Sequence, residues 1–173
     1  DELREKYLKI PIDIKLYIET RPEGINEKSV KLLKDLKDDG VGMGIELAGE
    51  EFREEKLNRF ANQDKIIKAF ELLKENGIKR TSYNIIGLPD QDEESIKSTI
   101  EFNKYLQPDN VTVAFYSPYY GTNEQKNSVE KKYFDDYEFQ VDGQLRTVSK
   151  NKLVSVEKLN YYKENFNSLV YDS

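Results

Sequence analysis

The sequence contains no cysteine and no histidine. Without cysteine there is no disulfide, no thiol nucleophile and no cysteine-built metal site. Without histidine the commonest general base and the commonest metal ligand are gone. Chemistry carried by this chain falls to carboxylates, lysine, arginine, tyrosine and amides, or to a group brought from outside. No apolar run approaches the roughly 18–20 residues a membrane helix needs, so no membrane partner is expected. No signal-peptide pattern stands at the start, and a cytoplasmic location is the expectation. An excess of positive charge is also lacking: 27 Lys and Arg against 33 Asp and Glu leave a formal net charge of -6. That argues against nucleic-acid binding through overall charge and leaves only a local basic patch open. Linkers rich in proline, glycine or serine are missing, which predicts one domain across the 173 residues, enough for a real core. Methionine occurs once, at Met43, and the chain opens Asp1-Glu2-Leu3, so a piece of a longer protein is expected.

What is present alternates. Residues 2–9 read as a helix. "IDIKLYIET" (12–20) sets Ile12, Ile14, Leu16 and Ile18 at period two, a strand pattern. Pro22 holds Arg21 extended. Asn26 can cap a helix carrying Val30, Leu33 and Leu36, with Gly40 as its expected stop. "VGMGIEL" (41–47) is a short apolar strand whose Gly42 and Gly44 permit close approach of backbone or ligand. A short helix (49–58) and a longer one (64–76) follow. The second buries Ile66, Ile67, Phe70 and Leu73 and stops at Gly77. "RTSYNIIGL" (80–88) is the next strand. Asp92 caps a helix with Ile96, Ile100 and Leu106 inward and Pro108 beyond it, and "NVTVAFYS" (110–117) is a fourth strand. Strand starts fall roughly 30–40 residues apart, the rhythm of parallel strands joined by helical crossovers. After Pro118 the pattern changes: a helix at 123–133, then "YEFQVDGQLRTVS" (137–149), a hairpin turning at Asp142-Gly143. Ser155 caps a last helix carrying Leu159, Tyr162, Phe166 and Leu169. The expected class is α/β, about four parallel strands with outer helices plus a small C-terminal hairpin and helix.

In parallel βα architectures ligands bind beyond the carboxyl ends of the strands. Those ends carry Glu19-Thr20-Arg21-Pro22, then Glu46, then Asn84 with Gly87, then Tyr116-Ser117-Pro118-Tyr119. Asparagine is disfavoured in strands, and left unpaired in a core its amide costs roughly 1–3 kcal/mol. Asn84 therefore faces either a polar ligand or internal partners. Glu46 reads either as a ligand contact or as one more acid before a helix N-terminus. Arg59 alone would be a solvated helix-end cation. Tyr116, Tyr119 and Tyr120 form a stacking surface or a plain aromatic rim, and Asp135-Asp136 is a solvated acidic pair.

Taken together, "IETRPEGINEKSVKLLKDL", "GVGMGIELAGEEFREEKLNR", "IIKAFELLKENGIKRTSYNIIGLPDQDEES" and "VAFYSPYYGT" resemble the radical S-adenosylmethionine (radical SAM) enzymes. The subgroup resembled is that of the cobalamin-associated enzymes, the methylthiotransferases, the oxygen-independent coproporphyrinogen dehydrogenase and the elongator catalytic subunit. The match covers 10–122 well, and the closing "SVEKLNYYKENF" loosely. The resemblance implies a partial TIM-type (βα) barrel, with this chain supplying the third to sixth strands, the C-terminal half. It implies SAM across the strand tops, with Glu46 and Arg59 as contacts and Asn84 on the ribose hydroxyls. Ile85 and Gly87 fall in the loose motif beside adenine, and Tyr116 and Ser117 stand where sixth-strand backbone meets it. Arg21 meets a carboxylate or braces the barrel.

Two departures stand out. The family holds a [4Fe–4S] cluster on three cysteines, and this chain has none. The strand whose glycine-rich end holds the methionine part of SAM is missing as well. Where the family often has a second glycine and a glutamate, "GLPDQD" stands here. The expectation is a fragment of a radical SAM iron–sulfur enzyme, inactive alone, with cluster and any cobalamin belonging to the parent. Its expected partner is the missing N-terminal half of the barrel or a second copy, because a half-barrel leaves an unpaired edge and an open face. Residues 123–173 form the extension and lid, and the substrate is unspecified. The alternatives are a nucleotide-binding half-barrel without redox chemistry and a purely structural module.

Overall fold

The computed structural model describes residues 2–12, 14–37, 39–135 and 148–172. The expected hairpin at 137–149, with its Asp142-Gly143 turn, lies almost wholly outside them. Helix α1 (Glu2–Tyr7) precedes strand β1 (Tyr17–Thr20). Then come α2 (Glu27–Asp35), β2 (Gly40–Glu46), α3 (Glu50–Leu57), α4 (Gln63–Glu75) and β3 (Arg80–Ile86). The chain continues with α5 (Glu93–Leu106), β4 (Asn110–Phe115), α6 (Asn123–Glu130) and α7 (Val156–Tyr171). The strands form one sheet in the order β1-β2-β3-β4, every neighbouring pair parallel.

The helix starts follow from local chemistry. Asn26 accepts the Ser29 N–H while the Ser29 hydroxyl accepts the Asn26 N–H, a reciprocal cap. Asp92 accepts the Ser95 N–H at 2.8 Å, and Asn62, Thr122 and Ser155 do the same for α4, α6 and α7. Several boundaries differ from expectation. Strand β1 begins at Tyr17 because β2 begins at Gly40, its partner in register; Ile12 and Ile14, 65% and 41% exposed, have no strand beside them among the described residues. Helix α2 ends at Asp35, and Lys37 rather than a glycine takes the left-handed turn. Gly40 instead opens β2, where an added Cβ would lie 3.1 Å from the Tyr17 ring and 3.2 Å from the Lys79 carbonyl. Strand β4 stops at Phe115, leaving Tyr116 and Ser117 in the loop beyond, and α6 stops at Glu130.

Strand parity sets the layers. Val41, Met43 and Ile45 point at Ile66, Ala69, Phe70 and Leu73 of α4, one buried cluster. Ile86, Val111 and Val113 meet Ile96 and Ile100 of α5 and Leu159, Tyr162, Phe166 and Val170 of α7, a second cluster. Ile67 and Leu169 are only partly buried, at the margins. Among the described residues the opposite face, Gly42, Tyr83, Ile85, Thr112 and Ala114, carries no helix layer, and Thr112 and Ala114 are exposed. The two edges also differ. Lys163 of α7 donates to the Val113 carbonyl on β4, whereas among the described residues no strand pairs with the outer edge of β1.

Helix α7 is pinned to α5 by Glu93, which accepts from the Lys158 ammonium and, at 2.8 Å, from the Tyr162 hydroxyl. The bond from Lys158, then that from Tyr162, lowers the Glu93 pKa from the usual glutamate value to about 2. A folded-state value below the unfolded one gives stability that is full above the ordinary glutamate range and lost as pH falls toward about 2. Glu93→Gln is expected to be less stable than wild type at neutral pH in denaturant melts. The gap should close as the melts are taken toward the acid end of that window; a gap independent of pH would contradict the assignment.

Candidate functional site

Glu46 is the last residue of β2 and has φ 63°. The register shifts between Gly44 and Glu46, so β2 carries a bulge where it ends beside Asn84. The turn sends the Glu46 side chain back over Gly44, where an added Cβ would sit 2.5 Å from Oε1. The carboxylate thus lies on the open face although its register partner Asn84 does not. Arg59, in the loop after α3, brings Nη2 to 3.6 Å from Glu46 Oε1. Glu46 is only 8% exposed. Burial raises its pKa, and the charges of Arg59, Arg53 and Arg21 work against that rise.

Glu46, Arg59, Ile85, Tyr116, Ser117 and Tyr119 together line a cleft of about 370 Å3. Five of the seven residues expected at the cofactor site are therefore together: Glu46, Arg59, Ile85, Tyr116 and Ser117. The volume falls in the range of small-molecule sites, and the lining mixes apolar surface with a few charged groups. Burial raises the Tyr116 pKa, keeping the phenol neutral, and its ring lies 6.4 Å from that of Phe134. On the same open face, further along the sheet, the Tyr83 hydroxyl donates to Glu19 at 3.0 Å, and the ring covers Gly42.

The other two expected residues are elsewhere. Asn84, 2% exposed, faces the helix layer. Its Oδ1 accepts from Asn103 of α5 at 2.8 Å, and its Nδ2 donates to the Thr112 carbonyl and the Ser82 hydroxyl, each at 3.2 Å. The expectation of a ribose-facing amide, and of Glu46 and Asn84 on one rim, is corrected: residues 82, 84 and 86 share the helix-side parity. Gly87 is likewise packed away. Its N–H donates to Gln91, its carbonyl accepts from Ser149, and a Cβ there would meet Ser149 and Leu159. Its φ of 79° is the reason for glycine.

A smaller space of about 160 Å3 adjoins the cleft across Tyr116, bounded by Lys56, Asp90, Ser128 and Tyr133. Asp90 accepts from the Tyr133 hydroxyl at 2.5 Å and from Lys56 at 3.2 Å. The Tyr133 bond, then Lys56, lowers the Asp90 pKa despite some desolvation. Sequence reasoning missed these groups; the acid after Leu88-Pro89, in a turn at φ 65°, was the available signal. A broader groove of about 730 Å3 between α1 and α2 is lined by Arg4, Lys28, Lys31 and Asp35.

A parallel sheet with helices on one face and a charged, aromatic cleft at the carboxyl ends defines a partial (βα) barrel. Comparison with known proteins agrees. The model of the Radical SAM superfamily matches residues 1–102. An uncharacterized methyltransferase of Pyrococcus horikoshii is 31% identical over 111 residues, 64% of this chain and 24% of that protein. Among solved structures, Elp3 of Methanocaldococcus infernus superposes with TM-score 0.61 at 25% identity, over 75% of this chain and 31% of that one. HemN of Escherichia coli, a coproporphyrinogen III oxidase described as a radical SAM enzyme, gives TM-score 0.55 at 26% identity, over 60% and 24%. TsrM of Kitasatospora setae, a radical SAM methyltransferase solved with cobalamin and a [4Fe–4S] cluster, gives 0.57 at 17% identity over 66% and 23%, a likeness of fold. The chain belongs to the radical SAM superfamily, and it spans about a quarter of the length of the relatives it matches. Among the described residues no helix is long and apolar enough to cross a membrane.

Asn84→Leu removes the acceptor of Asn103 and the donor to Thr112. Its expected cost is about 1–3 kcal/mol in urea unfolding, with no change in ligand affinity at the cleft. Retained stability with lost binding would return Asn84 to the site.

Proposed function

We propose that this chain provides the nucleoside-facing part of a radical SAM site, and that Glu46, Arg59, Ile85, Tyr116 and Ser117 hold S-adenosylmethionine. The observation that carries this reading is a cleft in which a carboxylate–guanidinium pair stands with aliphatic and aromatic side chains. SAM carries a carboxylate, an ammonium, a ribose diol and a purine. A guanidinium suits the carboxylate, a carboxylate suits the ammonium or the diol, and Ile85 with Tyr116 suits the purine faces. The desolvated setting of Glu46 strengthens such contacts relative to water. When bound and reduced, SAM supplies the family's radical chemistry; this chain's residues bind it, orient it and keep water from its nucleoside.

The [4Fe–4S] cluster does not fit this chain, because no thiolate exists here to ligate it. Its ligands belong to a further segment, which we take to be the N-terminal half of the barrel, laid against β1 and the open face. The cobalamin of TsrM and the name of the Pyrococcus relative support a methyl-transferring parent as one branch of this reading. The second reading, a half-barrel that binds a nucleoside without redox chemistry, is favoured by the missing cysteines.

Calorimetric titration of SAM into the cluster-loaded parent is the test. Saturable binding is expected, weakened about ten- to a hundredfold by Arg59→Ala and by Glu46→Gln, the scale of one charged hydrogen bond. Unaltered affinity in both variants would remove the site. Binding to a natural chain with no cysteine segment would select the second reading.

A further inference from the structure

Arg53, on α3, is 2% exposed and one of the largest fully buried side chains. Its Nη1 donates to the Leu47 carbonyl at 2.5 Å, and its Nη2 donates to the Ala61 carbonyl. Leu47 directly follows Glu46, and Ala61 stands two residues after Arg59. The Arg59 N–H in turn donates to the Arg53 carbonyl at 3.4 Å. One guanidinium therefore ties together the two ends of the segment that begins at the carboxylate and returns with the cation. Its field also reaches Glu46 directly, alongside those of Arg59 and Arg21.

Stability alone does not account for this residue. Among the described residues the buried Nε of Arg53 has no hydrogen-bond partner. Burial lowers its pKa, with Glu50, Glu46 and Glu23 opposing. A buried, incompletely satisfied charge is a costly way to fill space, and apolar residues of similar volume are often neutral or stabilising in such places. What an apolar residue cannot do is bridge two carbonyls.

We propose that Arg53 is a positioning residue: by bridging Leu47 and Ala61 it holds Glu46 and Arg59 paired at the cleft before any ligand arrives. The inference rests on reading the cleft as the SAM site, since pre-set geometry gains affinity only where a ligand uses it. Arg53→Lys restores a charge but not the two-carbonyl fork, and Arg53→Met keeps the volume without either.

The test uses the parent protein with wild type, Arg53→Lys and Arg53→Met, each followed by SAM calorimetry, thermal unfolding and amide hydrogen exchange. Both variants are expected to bind SAM about tenfold or more weakly at temperatures where they remain folded, with Arg53→Met the weaker. In the wild type without SAM, amides of residues 47–61 should already be protected. In the variants they should exchange faster and recover protection only with SAM. Wild-type affinity in both variants overturns the proposal, as does an unprotected 47–61 segment in the unliganded wild type. If Arg53→Met does not fold, Arg53→Lys and wild-type exchange decide. If the wild type binds no SAM, the reading of the cleft fails, and the exchange comparison still reports whether Arg53 orders the pair.

Discussion

The residue parity of parallel strands governs this half-barrel, and a single bulge offsets β2 from β3 at the rim. Along β2, β3 and β4, alternate residues face either the helices or the open interior, and register carries that alternation from strand to strand. The shift sets Glu46 opposite Asn84, yet the alternation of 42, 44 and 46 along β2 keeps its carboxylate on the open face while Asn84 stays with α5. Left-handed backbone at a non-glycine residue is costly, and such positions cluster where a side chain must be aimed. Glu46 thereby brings an acid to the open face beside Gly42 and Gly44, at the edge of the cleft.

Behind the rim lies a polar chain rather than plain packing. Asn84, Asn103, Ser82 and the Thr112 carbonyl satisfy one another. Asn103 also donates to the Thr99 carbonyl, and the Thr99 hydroxyl accepts the N–H of Ala48, two residues past Glu46. A fully satisfied buried network specifies one arrangement of its elements, because any slip leaves several groups unpaired. Here it locks β3, α5 and the end of β2 into a common frame. The apolar clusters supply most of the driving force; the network fixes where the rim stands.

Much of this was legible in the amino-acid sequence, for reasons that are local. Asn26, Asp92 and Ser155 cap helices through contacts within three residues, and the four strands follow from short apolar runs between helical patterns. The length of β1 was not legible, because it depends on where β2 starts. Gly40 looked like a helix stop when it serves close packing under Tyr17. The gathering of Glu46, Tyr116 and Ser117 was legible, since residues at strand ends converge in any parallel sheet, whereas Arg59 and Ile85 came only from the family resemblance. The face of Asn84 was not, because its partner Asn103 lies 19 residues away on a helix that otherwise reads as an ordinary amphipathic one. Nor could the bulge be read from the letters of "GIELAG".

The most direct measurement is a crystal structure of the complete parent with SAM bound. The account predicts the nucleoside against Ile85, Tyr116 and Ser117, Glu46 and Arg59 in contact with the ligand, and Asn84 still paired with Asn103. A ligand seated on Asn84, or one that touches neither Glu46 nor Arg59, would contradict it.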